Sequence, residues 1–331
     1  MKKYNVIVVG ATGLVGSTLI KVLEEREFTL QTLLPLASVR SAGKEVHAFG
    51  QNFEVEELTE NAFSDSYDFA FFCAGGEISK KYAPLSSQQG IVTIDNSSYF
   101  RGDDNLPLIV PEVNFNKVKG TDRLIINPNC STIQCMAPLK VLADLYGIES
   151  IDYSTYQACS GAGMGGLNDL LNGTSLCFDH NIRESVLPRI DVFLDNGYSK
   201  EEIKMINETS RILELSEVPV SATCVRVPIT TGHSVAITVK LKSEPDIDRV
   251  RQSMSETEGL SLVDDPPNKI YPIAENVRGK DIIEVGRIRK DLFRANVIHL
   301  WTVADNLRKG AATNAIQIAE KFIEKYPESI S

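Results

Sequence analysis

Of the six cysteines in this 331-residue chain, one lies where local structure would make it a nucleophile. Cys130 falls within Asn127-Pro128-Asn129-Cys130-Ser131-Thr132-Ile133-Gln134, after the apolar run Leu124 to Ile126. Apolar residues at Ile133, Met136, Ala137, Val141, Leu142 and Leu145 then follow at helical spacing. Ser131 with Gln134 three residues later has the form of a capping box, so a helix is expected to open beside the thiol. A helix N-terminus carries roughly half a positive charge, which favours thiolate and pulls the pKa below its reference of about 8.5. Cys73, Cys135, Cys159, Cys177 and Cys224 lie mainly in apolar segments and read as small buried hydrophobes, although Cys159 also adjoins a glycine-rich turn. There is no C-x-x-C pair and no Cys/His cluster, which argues against a disulfide framework and against a metal site.

Other residues could serve such a thiol. Arg226 and His233 stand at the end of one strand-like run and the start of the next; if those strands are neighbours, both side chains point to one end of a sheet. Histidine can give and take protons near neutrality, although a loop histidine can equally be just solvated. Gln157 edges the turn Ala158-Cys159-Ser160-Gly161-Ala162-Gly163, where glycine lets backbone approach a ligand and the amide could orient a carbonyl or carboxylate. Glu201 and Lys204 share a face of a helix whose N-cap is expected at Ser199, and by themselves read as an exposed ion pair. Arg101 carries no signal of its own.

A second constellation lies near the amino terminus. Gly10-Ala11-Thr12-Gly13-Leu14-Val15-Gly16 follows a strand-like run and opens a helical one, the setting in which backbone N–H groups meet a pyrophosphate. The spacing is G-x-x-G-x-x-G rather than G-x-G-x-x-G, and such a turn can also be only a packing device. NAD-preferring folds place a carboxylate at the end of the second strand to bind the ribose. Here that place reads Ser38-Val39-Arg40-Ser41-Ala42-Gly43, and an arginine with two serines suits the 2′-phosphate of NADP.

These groups need elements to carry them. In the first half, apolar strands at 4–9, 32–37, 67–74 and 91–94 alternate with helical patterns at 14–26 and 77–89, which implies a parallel sheet covered on both faces. Beyond about residue 150, longer alternating strands at 149–157, 220–227, 234–241, 282–289 and 297–304, several expected antiparallel, imply a second, sheet-based domain. The tail from Asn306 to Tyr326 is helical in spacing and is expected to return to the first domain. The fold class expected is therefore α/β: a Rossmann-like doubly wound domain over 1–129, completed by 306–331, and an α+β catalytic and dimerisation domain over 130–305. Hydrophobic residues at 43% and charged residues at 24% are ordinary for a globular protein. With 34 Lys+Arg against 44 Asp+Glu, the net charge of −10 disfavours nucleic acid as partner. The absence of a signal-peptide pattern or a long apolar run, with scattered cysteines, leads us to expect a cytoplasmic protein without membrane partners.

Taken together, the chain resembles the aspartate-β-semialdehyde dehydrogenases. The resemblance runs through Gly10 to Gly16, Ala37 to Gly43, Asn127 to Thr132, Tyr156 to Gly163, Glu201 to Thr209, Ser221 to Ser234, Val285 to Arg289 and Lys309 to Asn314. It implies that NADPH reduces L-β-aspartyl phosphate to L-aspartate-β-semialdehyde through a thioester on Cys130, a step that serves lysine, diaminopimelate, threonine and methionine synthesis. By the same likeness His233 is the acid/base and Gln157 positions the substrate, while Arg226 grips the α-carboxylate, Arg101 and Lys204 bind phosphate and Glu201 takes the α-amino group. NADP contacts are implied at Gly10, Ala11, Thr12, Gly13, Leu14, Val15, Ser38, Arg40, Ser41, Ser160, Gly161 and Asn314. A homodimer is implied, with further pairing into a dimer of dimers left open. Two other readings stay in view: an acyl-phosphate reductase of similar build, such as the N-acetyl-γ-glutamyl-phosphate reductases, and a catalytically silent NADP-binding protein.

Overall fold

The computed structural model describes residues 2–330, which form two compact units. One runs to Pro128 and takes up the chain again from Ala311; the other is Asn129–Gly310.

The first unit contains β1 (Tyr4–Val9), α1 (Leu14–Glu25), β2 (Leu30–Ala37), β3 (Glu45–Ala48), β4 (Gln51–Glu54), β5 (Glu56–Glu57), β6 (Phe69–Phe72), α2 (Gly76–Gln88), β7 (Val92–Asp95), α3 (Pro111–Asn114) and β8 (Leu124–Ile126). Its parallel sheet has the order β5-β2-β1-β6-β7-β8. The β3/β4 hairpin and the short β5 were not expected from the sequence; their exposed Glu-rich faces hide the strand period. The apolar residues of β1 alternate between two cores. Val6 and Val8 join α1 and the carboxy-terminal helix on one face, whereas Ile7 and Val9 join Phe72 and Ala83 on the other. Strands apolar on both faces are what a sheet buried on both sides requires. Strand order reverses on either side of β1, so the turn after β1 stands at the sheet's switch point, where such folds bind ligands.

The second unit holds α4 (Cys130–Tyr146), β9 (Ile148–Gln157), α5 (Gly163–Asn172), α6 (Lys200–Ile212), β10 (Val220–Arg226), β11 (His233–Leu241), α7 (Ile247–Ser255), β12 (Leu260–Leu262), α8 (Ala274–Val277), β13 (Ile283–Lys290) and β14 (Val297–Ala304). Its mixed sheet has the order β10-β9-β11-β14-β13-β12, antiparallel except at the β9/β10 and β12/β13 pairs. Helix α4 packs across β9, β11 and β14, and its Ser131–Leu139 stretch is buried all round. The tail is α-helical from Thr313, as α9 (Thr313–Lys325), after a π-turn over Arg308–Ala312. Ala315, Ile316, Ile318, Ala319 and Phe322 of α9 lie in the same core as Val6 and Val8. Among the described residues no helix is long and apolar enough to cross a membrane.

Candidate active site

Helix α4 begins at Cys130 itself, and its N-cap is Asn129, not the Ser131/Gln134 pair expected from the sequence. Because the helix starts earlier than that pair implies, Ser131 and Gln134 fall inside its first turns, where Ser131 Oγ and Gln134 Nε2 are buried without hydrogen-bond partners. Asn129 Oδ1 accepts from the backbone N–H of Ser131 at 2.9 Å and of Thr132 at 3.4 Å. Its Nδ2 donates to Glu201 Oε1 at 2.8 Å, and its backbone N–H donates to Glu208 Oε2 at 2.6 Å. Two carboxylates from α6 thus fix the residue that precedes the thiol. Such charge-assisted bonds are roughly twice as strong as neutral ones.

Ser199 caps α6 as expected, in a capping box with Glu202. The pair read as exposed is in fact largely buried: Glu201 is 5% exposed, and Lys204 Nζ sits 3.2 Å from Glu201 Oε2 and 3.0 Å from Asp191 Oδ2. Burial alone would raise the Glu201 pKa. The charge of Lys204, with hydrogen bonds from Asn129, Gln157 and Lys204, holds it below the usual carboxylate range. Burial would likewise lower Lys204, but Glu201 and Asp191 raise it. Gln157, 1% exposed, donates Nε2 to Glu201 Oε1 at 3.2 Å.

Arg226 and His233 do come to one end of the sheet, although β10 and β11 are not neighbours. β9 lies between them, parallel to β10 and antiparallel to β11, so the end of β10 and the start of β11 both flank Gln157. Arg226 is 5% exposed and donates Nη1 to the Ala158 carbonyl at 2.6 Å, while its buried Nε has no partner. Burial lowers its pKa, opposed by negative charge on Glu201 and on Cys130 as thiolate. His233 is fully buried, and its Nδ1 accepts the Ala158 backbone N–H at 3.0 Å. The neutral ring therefore carries its proton on Nε2, which is buried and unpartnered. Burial and then Arg226 push the His233 pKa well below 6.5. A Cβ on Gly161 would stand 2.7 Å from Arg226 Nη1 and 3.2 Å from His233 Nε2. Glycine there lets the guanidinium and the imidazole close in on the turn, so that a cation and an N–H donor converge on one point. With Arg226 Nε and His233 Nε2 buried and without partners, that convergence suits a small anionic or carbonyl-bearing molecule. Ser160, expected at the cofactor, is 3% exposed and bonds with Asn306, which also accepts from Gly232 N–H.

In the first unit, Gly10 has φ +82° and a Cβ there would lie 2.8 Å from the Cys73 carbonyl oxygen; one on Gly16 would lie 2.1 Å from the Gly10 carbonyl oxygen. Both positions admit glycine only, and Gly13 opens α1 without a side-chain cap, which leaves its first N–H groups uncapped, as a phosphate-binding helix start requires. Leu14 and Val15 form the first turn of α1, and Ala11 is buried. Thr12 Oγ1 donates to Ser41 Oγ at 3.3 Å, which links the turn to the segment after β2, where Ser38 and Arg40 are exposed. No carboxylate stands in 38–43, so a dinucleotide with a 2′-phosphate fits these residues. Arg101 donates Nε to Asn127 O at 3.1 Å and an Nη to Asn96 O at 2.7 Å. Asn314 is fully buried, donating to Asn127 Oδ1 at 2.7 Å and Ile109 O at 3.1 Å.

Sequence reasoning missed Asn129 and Glu208. The first had a signal, since Asn ranks among the preferred N-caps; the second had none.

Comparison with known proteins places both units in one class. Residues 5–121 match the family model for the semialdehyde dehydrogenase NAD binding domain, and residues 139–309 match that for the semialdehyde dehydrogenase dimerisation domain. A relative from Campylobacter jejuni, named aspartate-semialdehyde dehydrogenase, is 44% identical over 98% of each chain. The crystal structure of aspartate semialdehyde dehydrogenase II from Vibrio cholerae, complexed with ASA, is 41% identical with a TM-score of 0.93, covering 98% of this chain and 100% of that one. The aspartate semialdehyde dehydrogenase of Candida albicans, solved with NADP, is 26% identical with a TM-score of 0.77, over 98% and 99% of the two chains. The chain belongs to the aspartate-semialdehyde dehydrogenase family.

Proposed function

We propose that the protein reduces L-β-aspartyl phosphate to L-aspartate-β-semialdehyde with NADPH, releasing phosphate, and that Cys130 is its nucleophile. The observation that carries the assignment of roles is the convergence of Arg226 and the unpartnered His233 Nε2 on Gly161. Arg226 has a free Nε for a substrate α-carboxylate. Glu201, kept ionised by its partners, suits an α-ammonium, and Lys204 and Arg101 suit phosphate oxygens.

Cys130 thiolate, favoured by the start of α4, attacks the acyl carbon; the bond to the phosphate oxygen breaks, and the phosphate departs with the proton that the reaction consumes. Gly10 to Val15 would hold NADPH, with Ser38, Arg40 and Ser41 toward the 2′-phosphate and Ser160, Gly161 and Asn314 as further candidates; the chemistry it would supply when bound is a hydride for the thioester carbonyl carbon. His233 holds its proton on Nε2 and donates a hydrogen bond to the oxygen that becomes negative. Collapse of that oxygen to a carbonyl breaks the C–S bond and returns the Cys130 thiolate. Gln157, tied to Glu201, orients the acyl group.

Two copies pair through the second unit, as the dimerisation-domain match supports. A dimer of dimers is the further assembly to look for. The test is phosphate-dependent reduction of NADP, with NAD alongside, using aspartate semialdehyde and N-acetylglutamate semialdehyde as rival substrates. We expect turnover with the first only and a preference for NADP; turnover with N-acetylglutamate semialdehyde alone would overturn the reading.

A further inference from the structure

Arg226 is flanked by a largely exposed segment. After α5 the chain runs irregularly through Thr174 to Phe178, where Leu176 is 91% exposed and Cys177 is also exposed. What gathers it is one carboxylate. Asp169, on α5 and 1% exposed, accepts Thr174 Oγ1 at 2.6 Å and Leu176 N–H at 2.9 Å on Oδ1, and Cys177 N–H at 2.7 Å and Phe178 N–H at 2.9 Å on Oδ2. Burial alone would raise its pKa, yet these four donors hold it far below the usual carboxylate range. The segment delivers the Phe178 ring to 5.8 Å from the Arg226 guanidinium carbon, within cation–π reach. Gly166 clears the way, since a Cβ there would stand 3.0 Å from Phe178 Cζ. Phe178 and Arg226 together line a cavity of about 460 Å³.

We propose that Asp169 is a positioning residue for substrate binding, holding Phe178 against Arg226 so that the guanidinium keeps one orientation toward the substrate carboxylate. The inference rests on the reading that Arg226 takes the α-carboxylate. Asparagine at 169 keeps the shape, but turns an NH2 group toward two backbone N–H donors, so the gathering fails. Leucine at 178 keeps bulk and removes the π face.

Steady-state kinetics of Asp169→Asn, Phe178→Leu, the double variant and Arg226→Lys decide it. Asp169→Asn is expected to raise KM for aspartate semialdehyde by roughly 3- to 10-fold, the range of a partly desolvated cation–π contact. kcat and KM for NADP stay within about twofold, as expected when only ground-state binding is touched. Phe178→Leu gives a similar rise, Phe178→Tyr restores the wild-type KM, and the double variant is no worse than either single one. Should Asp169→Asn not fold, the Leu/Tyr pair at 178 carries the test. The inference is overturned if Arg226→Lys raises KM while Asp169→Asn or Phe178→Leu does not, if the two effects multiply, or if kcat falls with KM unmoved. An unmoved KM in Arg226→Lys overturns the carboxylate assignment itself, and the inference with it.

Discussion

Adding one methyl group at Gly161 tests the centre of the proposed site. The backbone accepts it, since Gly161 lies in a 3₁₀ turn outside the left-handed region. The methyl carbon would stand 2.7 Å from Arg226 Nη1, roughly 0.7 to 1 Å inside van der Waals contact. An exposed arginine would swing away at little cost. Arg226 is 5% exposed, tied to Ala158 O at 2.6 Å and backed by Phe178, so relief comes by breaking the Ala158 bond. A hydrogen bond made by a charged group is worth about 1.5 to 3 kcal/mol. At about 1.4 kcal/mol per decade this is a loss of roughly 10- to 150-fold in kcat/KM for aspartate semialdehyde. The methyl group also crowds His233 Nε2, 3.2 Å away, which adds to the loss. The assay is steady-state kinetics of Gly161→Ala beside a thermal melt. We expect the melting temperature to fall by several degrees while the protein stays folded, because the bond to Ala158 is lost from the substrate-free protein as well. Unchanged kcat/KM in a folded Gly161→Ala would refute the reasoning, for then substrate does not depend on where Arg226 and His233 are held.

Two further predictions concern titration and reactivity. Because His233 is held neutral when folded and titrates near 6.5 when unfolded, the unfolded chain binds more protons below that pH; its contribution falls as pH drops from about 6.5, by at most about 1.4 kcal/mol per pH unit, and is absent above it. Melting temperatures of wild type and His233→Asn should therefore diverge less at pH 5 than at pH 8, and a constant gap would contradict the burial argument. Iodoacetamide at neutral pH should label Cys130 ahead of the rest, as read by peptide mass spectrometry: burial pushes Cys159 up to about 11 and Cys73, Cys135 and Cys224 higher still, and the exposed Cys177 is raised by partial burial and by the charge of Asp169. Cys130→Ala should end turnover while NADPH still binds; residual turnover would remove Cys130 from the nucleophile's place.

What local chemistry decides was legible in the chain. The strand, glycine turn and helix at 4–25 need only neighbours in sequence, as do the Ser199 cap and a helix opening at Cys130, because apolar period and capping act within a few residues. Which residue caps α4 was misread because both Asn129 and Ser131 satisfy the local rule. The choice was made by Glu201 and Glu208, more than 70 residues downstream, which fix Asn129 from outside the helix.

The sequence alone thus determined which side chains could react and that a dinucleotide turn and a helix-borne thiol occur in one chain. Tertiary structure decided their states: Glu201 buried yet ionised, His233 dry with its proton on Nε2, Arg226 and His233 joined at one sheet end by a strand inserted between theirs. Burial and strand order arise from contacts between segments far apart in the chain, and desolvation with neighbouring charge sets the chemistry of an ionisable group more strongly than its residue type.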